Sequence, residues 1–463
     1  MRKAKVGLLP LYIELYDKAV PEVRGRMDGF YRTICLEIEK KGVEVVRAPV
    51  CRLKSEFEEA VGSFKSTGAD AIVTLHLAYS PSLESALVLA RTKLPIIVLD
   101  TTPTYEYGPQ QDPAELMYNH GIHGVQDMCN LLLRNGKPFQ IEAGHWEKSD
   151  VLERVASQVR AARLASGMRV ARVGRIGRSF AGMGDFAVPN EVLAATIGFH
   201  VVEAESPELA SILQGTRDDA VSAEMESDRK RFRIDGLEPE VHRTSSLAGL
   251  AVRRWCEQQG ITSFSVNFMD IDEDQILPTV PFLEASKAMA RGMGYAGEGD
   301  VLTAALVGSL IAVHPETTFT EMFCPDWEKD HIFLSHMGEV NFRTLSESPR
   351  LIACGFPFTK VAAPVIGVGR YRAGTALLLN LLPTGDVGYR LIAAPVTVLD
   401  VAGNDRWSGS VHGWFQPSLP IADFLSDYSR LGGTHHLAMA YGATVREVSA
   451  WGELMGWKVQ HLK

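Results

Sequence analysis

The sequence of 463 residues predicts an α/β chain: two doubly wound α/β domains followed by a β-rich, barrel-like C-terminal domain. Three observations carry this. Short apolar runs alternate with amphipathic stretches through the first two thirds, as in βαβ units built on a parallel sheet. The length exceeds what one ordinary core organises, so two or three domains are expected. The last third changes character, to strand-like runs broken by Gly, Pro, Asn and Asp with little helical periodicity.

In the first domain, expected over 1–168, "KVGLLP", "VEVVRAP", "DAIVTLHLA" and "LPIIVLDTT" read as strands, with "GRMDGFYRTICLEIEKKG" as a helix between the first two. Ligands of parallel sheets sit beyond the carboxyl ends of the strands, where His76, Asp100 and Thr101 fall. The helix-like "SDVLERVASQVRAARLASG" leads into a second domain over 169–316. Its strands are "MRVARVGRIG", "GFHVVEAE" and "ITSFSVNFMD", its helices "SSLAGLAVRRWCEQQG" and "PFLEASKAMAR". Both domains read as Rossmann-like or flavodoxin-like. Over 317–463, "SPRLIACGFPF", "GTALLLNLL", "YRLIAAPVTVLDVAG" and "VHGWFQPS" read as strands closed by the helix "SLPIADFLSDYSRLG", with His412 and Trp414 in the core.

Composition narrows the function. The 47 basic and 56 acidic residues give a net charge of -9, which opposes binding to a phosphate backbone, so nucleic acid is not an expected partner. The six cysteines are scattered without a C-x-x-C pair, which points away from a disulfide framework and toward a reducing cytoplasm. The N-terminal apolar run is cut by Pro10, Glu14 and Asp17 and reads as a first strand. "LTAALVGSLIAVH" falls short of the roughly twenty apolar residues that span a bilayer, so no membrane partner is expected.

"GMGYAGEGDV" satisfies G-x-G-x-x-G through Gly292, Gly294 and Gly297, but the run before it is helix-forming and the acids Glu298 and Asp300 follow. A dinucleotide turn needs a preceding strand, so no nucleotide cofactor is expected; the glycines read as a helix end, a turn and a flexible mount for Glu298. Three further segments matter with it: "TTFTEMF" with Glu321, "LSHMGEVN" with His336, and "GGTHHLAM" with His435 and His436. Two carboxylates and two imidazoles suffice for a divalent ion of the Mn²⁺ type, although the spacing fits no compact metal motif. Each residue also has a plain structural reading: a solvated acid, a hydrogen-bonded core histidine, or, for "THH", a helix start capped by Thr434.

In this order, "GYAGEGDVLTAAL", "TTFTEMF", "LSHMGEVN" and "GGTHHLAM" resemble the metal-site segments of L-arabinose isomerases. "LHLAYSPS" is similar to that family's "LHTFSP", "AGHWEKSD" to its "GHWQDK", and "YNHGIHG" to its "NQTAHG", so the likeness runs from about residue 70 to about residue 440. The resemblance implies a three-domain aldose–ketose isomerase, assembled as a trimer or hexamer, converting L-arabinose to L-ribulose or D-galactose to D-tagatose. It implies Glu298, Glu321, His336 and His436 as Mn²⁺ ligands, with Glu298 and Glu321 also doing acid–base work. His435 would support the site or meet the sugar, the retained His123 would face the sugar, and His76 is a further candidate. The departures fall on the sugar side. Leu11 and Tyr12 stand where the family's "GSQHLYG" offers a glutamine, His120 where "NQTAHG" has one, and Phe180 in place of a pocket methionine. An isomerase for another pentose, hexose or 6-deoxy sugar, or a noncatalytic sugar-binding relative, stays open on that account.

Overall fold

Apolar runs of five to seven residues, too short for helices and covered on both faces, build the middle of the first sheet. The computed structural model describes residues 2–273, 277–385, 388–401 and 406–462. Its chain falls into two compact units, Arg2–Ser166 and Gly167–Lys463.

In Arg2–Ser166, strands β1 (Lys5–Leu11), β2 (Glu44–Arg47), β3 (Ala71–His76), β4 (Ile96–Asp100) and β5 (Phe139–Ala143) lie in the order β2-β1-β3-β4-β5, all parallel. This is a doubly wound order. β3 is buried along its whole length, and Leu9, Leu11, Phe57, Phe64, Ile72, Val98 and Met128 form a core between sheet and helices. The sequence reading places no strand at β5. It is an edge strand with a single buried residue, Glu142, so it carries almost no apolar signal. His76 and Asp100 end β3 and β4, as expected from the sheet's polarity.

In Gly167–Lys463, β6 (Arg172–Ile176), β7 (His200–Glu203), β9 (Ser263–Val266) and β10 (Gly294–Gly297) form a second parallel sheet in the order β10-β9-β6-β7, while the two-residue β8 (Arg233–Ile234) pairs elsewhere. β10 corrects the expected turn. Gly292 does end the helix Phe282–Arg291 at φ 105°, but the following glycines belong to a strand. A Cβ on Gly294 would lie 2.4 Å from the Ala304 carbonyl oxygen, so the glycine serves close packing rather than flexibility. The helix Val301–Ile311 that follows is buried at every residue but Gly308. It is apolar all round because it packs on β6, β9 and β10 on one side and on the C-terminal strands on the other.

Those strands are β11 (Thr317–Asp326), β12 (His331–Ser335), β13 (Arg350–Ala353), β14 (Val365–Arg370), β15 (Gly374–Pro383), β16 (Tyr389–Val398), β17 (Val411–Pro417), β18 (His436–Tyr441) and β19 (Lys458–His461). β16, β15, β18, β11, β12 and β17 pair antiparallel in that order, and β17 returns to β16 to close a six-stranded barrel. Closure leaves these strands without an exposed edge. Leu334, Leu378, Val396, Phe415, Leu437 and Met439 contribute to its core. "THHLAM" is therefore a strand and not a helix start: β18 is buried at all six positions, so it shows no alternation by which a strand is read.

Candidate metal centre

Strand register brings three of the four expected ligands together. Glu321 on β11 pairs with Ser335 of β12 on one side and with His436 of β18 on the other. His336 follows Ser335 directly, so three side chains leave neighbouring strands at one rim of the barrel. Glu298 arrives from the central sheet, one residue beyond the carboxyl end of β10.

Glu298 adopts φ 63°, a left-handed conformation that non-glycine residues seldom take. Its main chain is held on both sides, N–H donating to Val266 O at 2.8 Å and carbonyl accepting from Phe180 N at 3.0 Å. Strain held in this way is characteristic of functional positions. Gly299 follows at φ 79°, where a Cβ would meet the Arg178 carbonyl oxygen at 2.3 Å. Asp300 then caps the helix Val301–Ile311, accepting from Thr303 N at 2.9 Å.

The distances are short. His436 Nε2 lies 3.1 Å from Glu321 Oε1 and 3.4 Å from Glu298 Oε2, and His336 Nε2 lies 3.2 Å from Glu321 Oε1. Glu298, Glu321, His435 and His436 each offer a ligand atom within 4.8 Å of the others, a group that holds His435, expected on the sugar side, where His336 was expected. Glu298 Oε2, His336 Nε2 and His436 Nε2 are buried without hydrogen-bond partners. Buried polar atoms are rarely left so. Separations of about 3 Å suit neighbouring donors on one ion bound at about 2.1 Å, and the oxygen–imidazole set suits Mn²⁺-type ions, so the residues fit a divalent cation.

Each imidazole is oriented from behind by a carboxylate. His336 Nδ1 meets Glu339 Oε2 at 2.7 Å, and Glu339 Oε1 accepts from Tyr295 at 2.8 Å. His436 Nδ1 meets Asp300 Oδ2 at 2.9 Å, and His435 Nδ1 meets Asp185 Oδ2 at 2.7 Å. Carboxylates behind ligating imidazoles fix the tautomer that leaves Nε2 facing the site. The electrostatics match. Burial would raise the Glu298 carboxyl, but the imidazoles of His435 and His436 outweigh it and hold it at about 2. Glu321 is likewise lowered, burial being overcome by His336 and His436. Burial would lower His336, yet Glu339 and Glu321 push it up to about 10, and His436 is raised by Asp300, Glu298 and Glu321 against the same penalty. Imidazolium charge thus balances the carboxylates, a balance a bound cation would replace.

The other expected site residues divide between the units. Phe180 lies in Gly167–Lys463 beside the Glu298 backbone, its ring 5.4 Å from that of Phe268. In Arg2–Ser166, Leu11 and Tyr12 are fully buried, Leu11 within the apolar core. His120 engages both ring nitrogens, Nδ1 with Leu116 O at 2.9 Å and Nε2 with Tyr16 Oη at 3.1 Å, while His123 is exposed with its ring 6.0 Å from that of His120. His76 is buried with neither ring nitrogen hydrogen-bonded, and burial lowers it to about 3. Sequence reasoning missed Asp185, Glu339 and Tyr295. Glu339 had a usable signal, three residues after His336.

Comparison with known proteins agrees with this architecture. Residues 182–314 match the L-arabinose isomerase central domain, and residues 316–458 match the L-arabinose isomerase C-terminal domain. The L-arabinose isomerase of Shouchella clausii is 24% identical over 90% of this chain and 87% of its own length. That of Erwinia tasmaniensis is 26% identical over 74% and 70%, and that of Thermotoga petrophila 23% identical over 89% and 84%. The matches define an enzyme of the aldose–ketose isomerase class. The chain belongs to the L-arabinose isomerase family.

Proposed function

We propose that the chain is a cytoplasmic, divalent-metal-dependent isomerase that converts L-arabinose to L-ribulose, or D-galactose to D-tagatose, by proton transfer through an enediol. The observation that supports it most is the convergence of Glu298, Glu321, His336 and His436, whose oxygens and imidazole nitrogens face one another at 3.1 to 3.4 Å, three of the atoms buried without a hydrogen bond. These four residues would hold the ion, Mn²⁺ in this reading. A divalent ion held there supplies Lewis-acid stabilisation of charge on two vicinal sugar oxygens.

The remaining chemistry belongs to the chain. Moving a carbonyl between C1 and C2 requires removal of the proton on the carbon beside it and return of a proton to its neighbour. Glu298 and Glu321 are both held ionised; one accepts the carbon-bound proton, exchanges it with solvent and delivers a proton to the neighbouring carbon, while the other serves the sugar oxygens. Proton transfer of this kind requires no nucleotide. Within the unit that carries the ligands, His435 and Phe180 are assigned to the sugar side. In this reading domains 1–168, 169–316 and 317–463 form each subunit of a trimer or hexamer.

Glu298→Gln and Glu321→Gln should each abolish isomerisation while the far-ultraviolet circular dichroism stays that of the parent. Full activity in either overturns the assignment. A second reading, another sugar substrate, is favoured by one observation: Phe180 joins Phe268, and through it Phe356 and Phe358, in an aromatic cluster beside the Glu298 loop. Apolar rings select against hydroxyl-rich substrate edges. A ketose screen across aldopentoses, aldohexoses and 6-deoxy aldoses with Mn²⁺ separates the two, a clear preference for L-arabinose eliminating the second.

A further inference from the structure

The loop between β6 and the helix Asn190–Thr196 touches the centre three times in quick succession. Phe180 N donates to Glu298 O at 3.0 Å. Phe186, only 3% exposed, stacks on His436 with ring centroids 4.9 Å apart and planes 12° apart. Asp185, between them, uses one oxygen twice: Oδ2 accepts from the main-chain N–H of His435 at 3.2 Å and meets its ring Nδ1 at 2.7 Å. One acceptor serving both groups fixes the χ angles of His435 as well as its tautomer. With the Nδ1 proton committed to Asp185, Nε2 faces inward, 3.7 Å from Glu298 Oε2.

We infer that Asp185 is the positioning residue for His435, holding its ring so that Nε2 is presented to a sugar oxygen beside Glu298. The buried anchor Phe186 fixes the loop, and Asp185 reads out that fixed position to the imidazole. His435 differs here from His336 and His436. Their orienting carboxylates, Glu339 and Asp300, are buried, whereas the side chains of Asp185 and His435 are each 38% exposed. An exposed ring would sample several rotamers in the absence of a partner, so the role of Asp185 is one of order rather than of charge. The inference rests on the isomerase reading for its kinetic consequence, but not for its geometry.

The test compares the full-length parent with Asp185→Ala and Asp185→Asn. Asparagine can place its single carbonyl oxygen where Oδ2 stands and accept both bonds, so it keeps the ring in place without the charge. Alanine cannot. Asp185→Ala is expected to lower kcat/KM for the aldose about 10- to 100-fold, mainly through KM, with Mn²⁺ affinity measured calorimetrically in the absence of sugar within about threefold of the parent. Asp185→Asn is expected to recover kcat/KM to within about threefold. Independently, the ¹⁵N spectrum of the His435 ring, assigned with His435→Gln and recorded at a pH where the ring is neutral, should show a protonated Nδ1 and a bare Nε2 in the parent and in Asp185→Asn. A parent ring protonated at Nε2 overturns the inference, as does Asp185→Ala with kcat/KM within threefold of the parent. If the parent isomerises no aldose the isomerase reading fails, and the ¹⁵N spectrum still decides the role of Asp185.

Discussion

Asp300→Asn separates two tasks that one buried side chain performs with two different oxygens. Oδ1 caps the helix Val301–Ile311 through Thr303 N at 2.9 Å, and Oδ2 meets His436 Nδ1 at 2.9 Å. Asparagine has one oxygen. If it keeps the cap, its NH₂ faces Nδ1, and the ring must then carry its own proton on Nε2, the atom that faces Glu298 and Glu321. Because asparagine and aspartate are nearly equal caps, helix stability should change by only about a few tenths of a kcal/mol. The lost lone pair is a different matter. Substitutions behind a ligating histidine cost about 10- to 100-fold in metal affinity, or about 1.4–2.8 kcal/mol. Asp300→Ala adds the lost cap, about 1 kcal/mol, and leaves buried donors unpaired at about 1–3 kcal/mol each. Calorimetric Mn²⁺ titration beside thermal unfolding of both variants reads the two effects separately. Metal affinity within threefold of the parent in Asp300→Asn would refute the reasoning.

Two further outcomes concern stability. Lys287 is 4% exposed and bridges Asp228 at 2.5 Å and Glu224 at 2.8 Å, with Arg253 joining Glu224 to Glu284. Removing one partner of a buried ionic network costs about 3–5 kcal/mol, so Lys287→Met should lower the denaturant midpoint accordingly, and a loss below about 1 kcal/mol would show the network to be solvated. His76, held at about 3 by burial against a reference of 6.5, is neutral when folded and takes up a proton on unfolding. The unfolded state then binds more protons between these values, so stability is full above about 6.5 and falls as pH drops toward 3. At pH 4.5 the loss is about 3 kcal/mol from this group, and it should vanish in His76→Leu. Hydrogen exchange of the β3 amides at pH 7 and pH 4.5 checks the difference, and an equal pH dependence in both proteins would refute it.

The central strands of the parallel sheets were legible because they are apolar on both faces and their helices amphipathic; β5 was not, because an edge strand with one buried residue looks like a loop, nor was the glycine-rich β10. The barrel's existence showed in its broken strand-like runs, while β18, buried throughout, looked equally like a helix start. Glu298, Glu321, His336 and His436 stood out by residue type and by resemblance, yet no spacing linked them, since β-register brings Glu321 opposite His436 across more than a hundred residues. The glycines of "GMGYAGEGDV" were misread as flexible because the helix packed against Gly294 comes later in the chain. Asp185 had no signal at all, its role depending on a tertiary contact 250 residues away.

Hydrogen transfer during aldose–ketose conversion tests the central claim most directly. The aldose is incubated with the Mn²⁺-loaded protein in deuterium oxide and the ketose examined by proton magnetic resonance. Proton transfer through Glu298 and Glu321 predicts deuterium at C1 of the ketose, and no conversion at all in Glu321→Gln. A ketose formed without any solvent deuterium, or conversion that persists in Glu321→Gln, would contradict it.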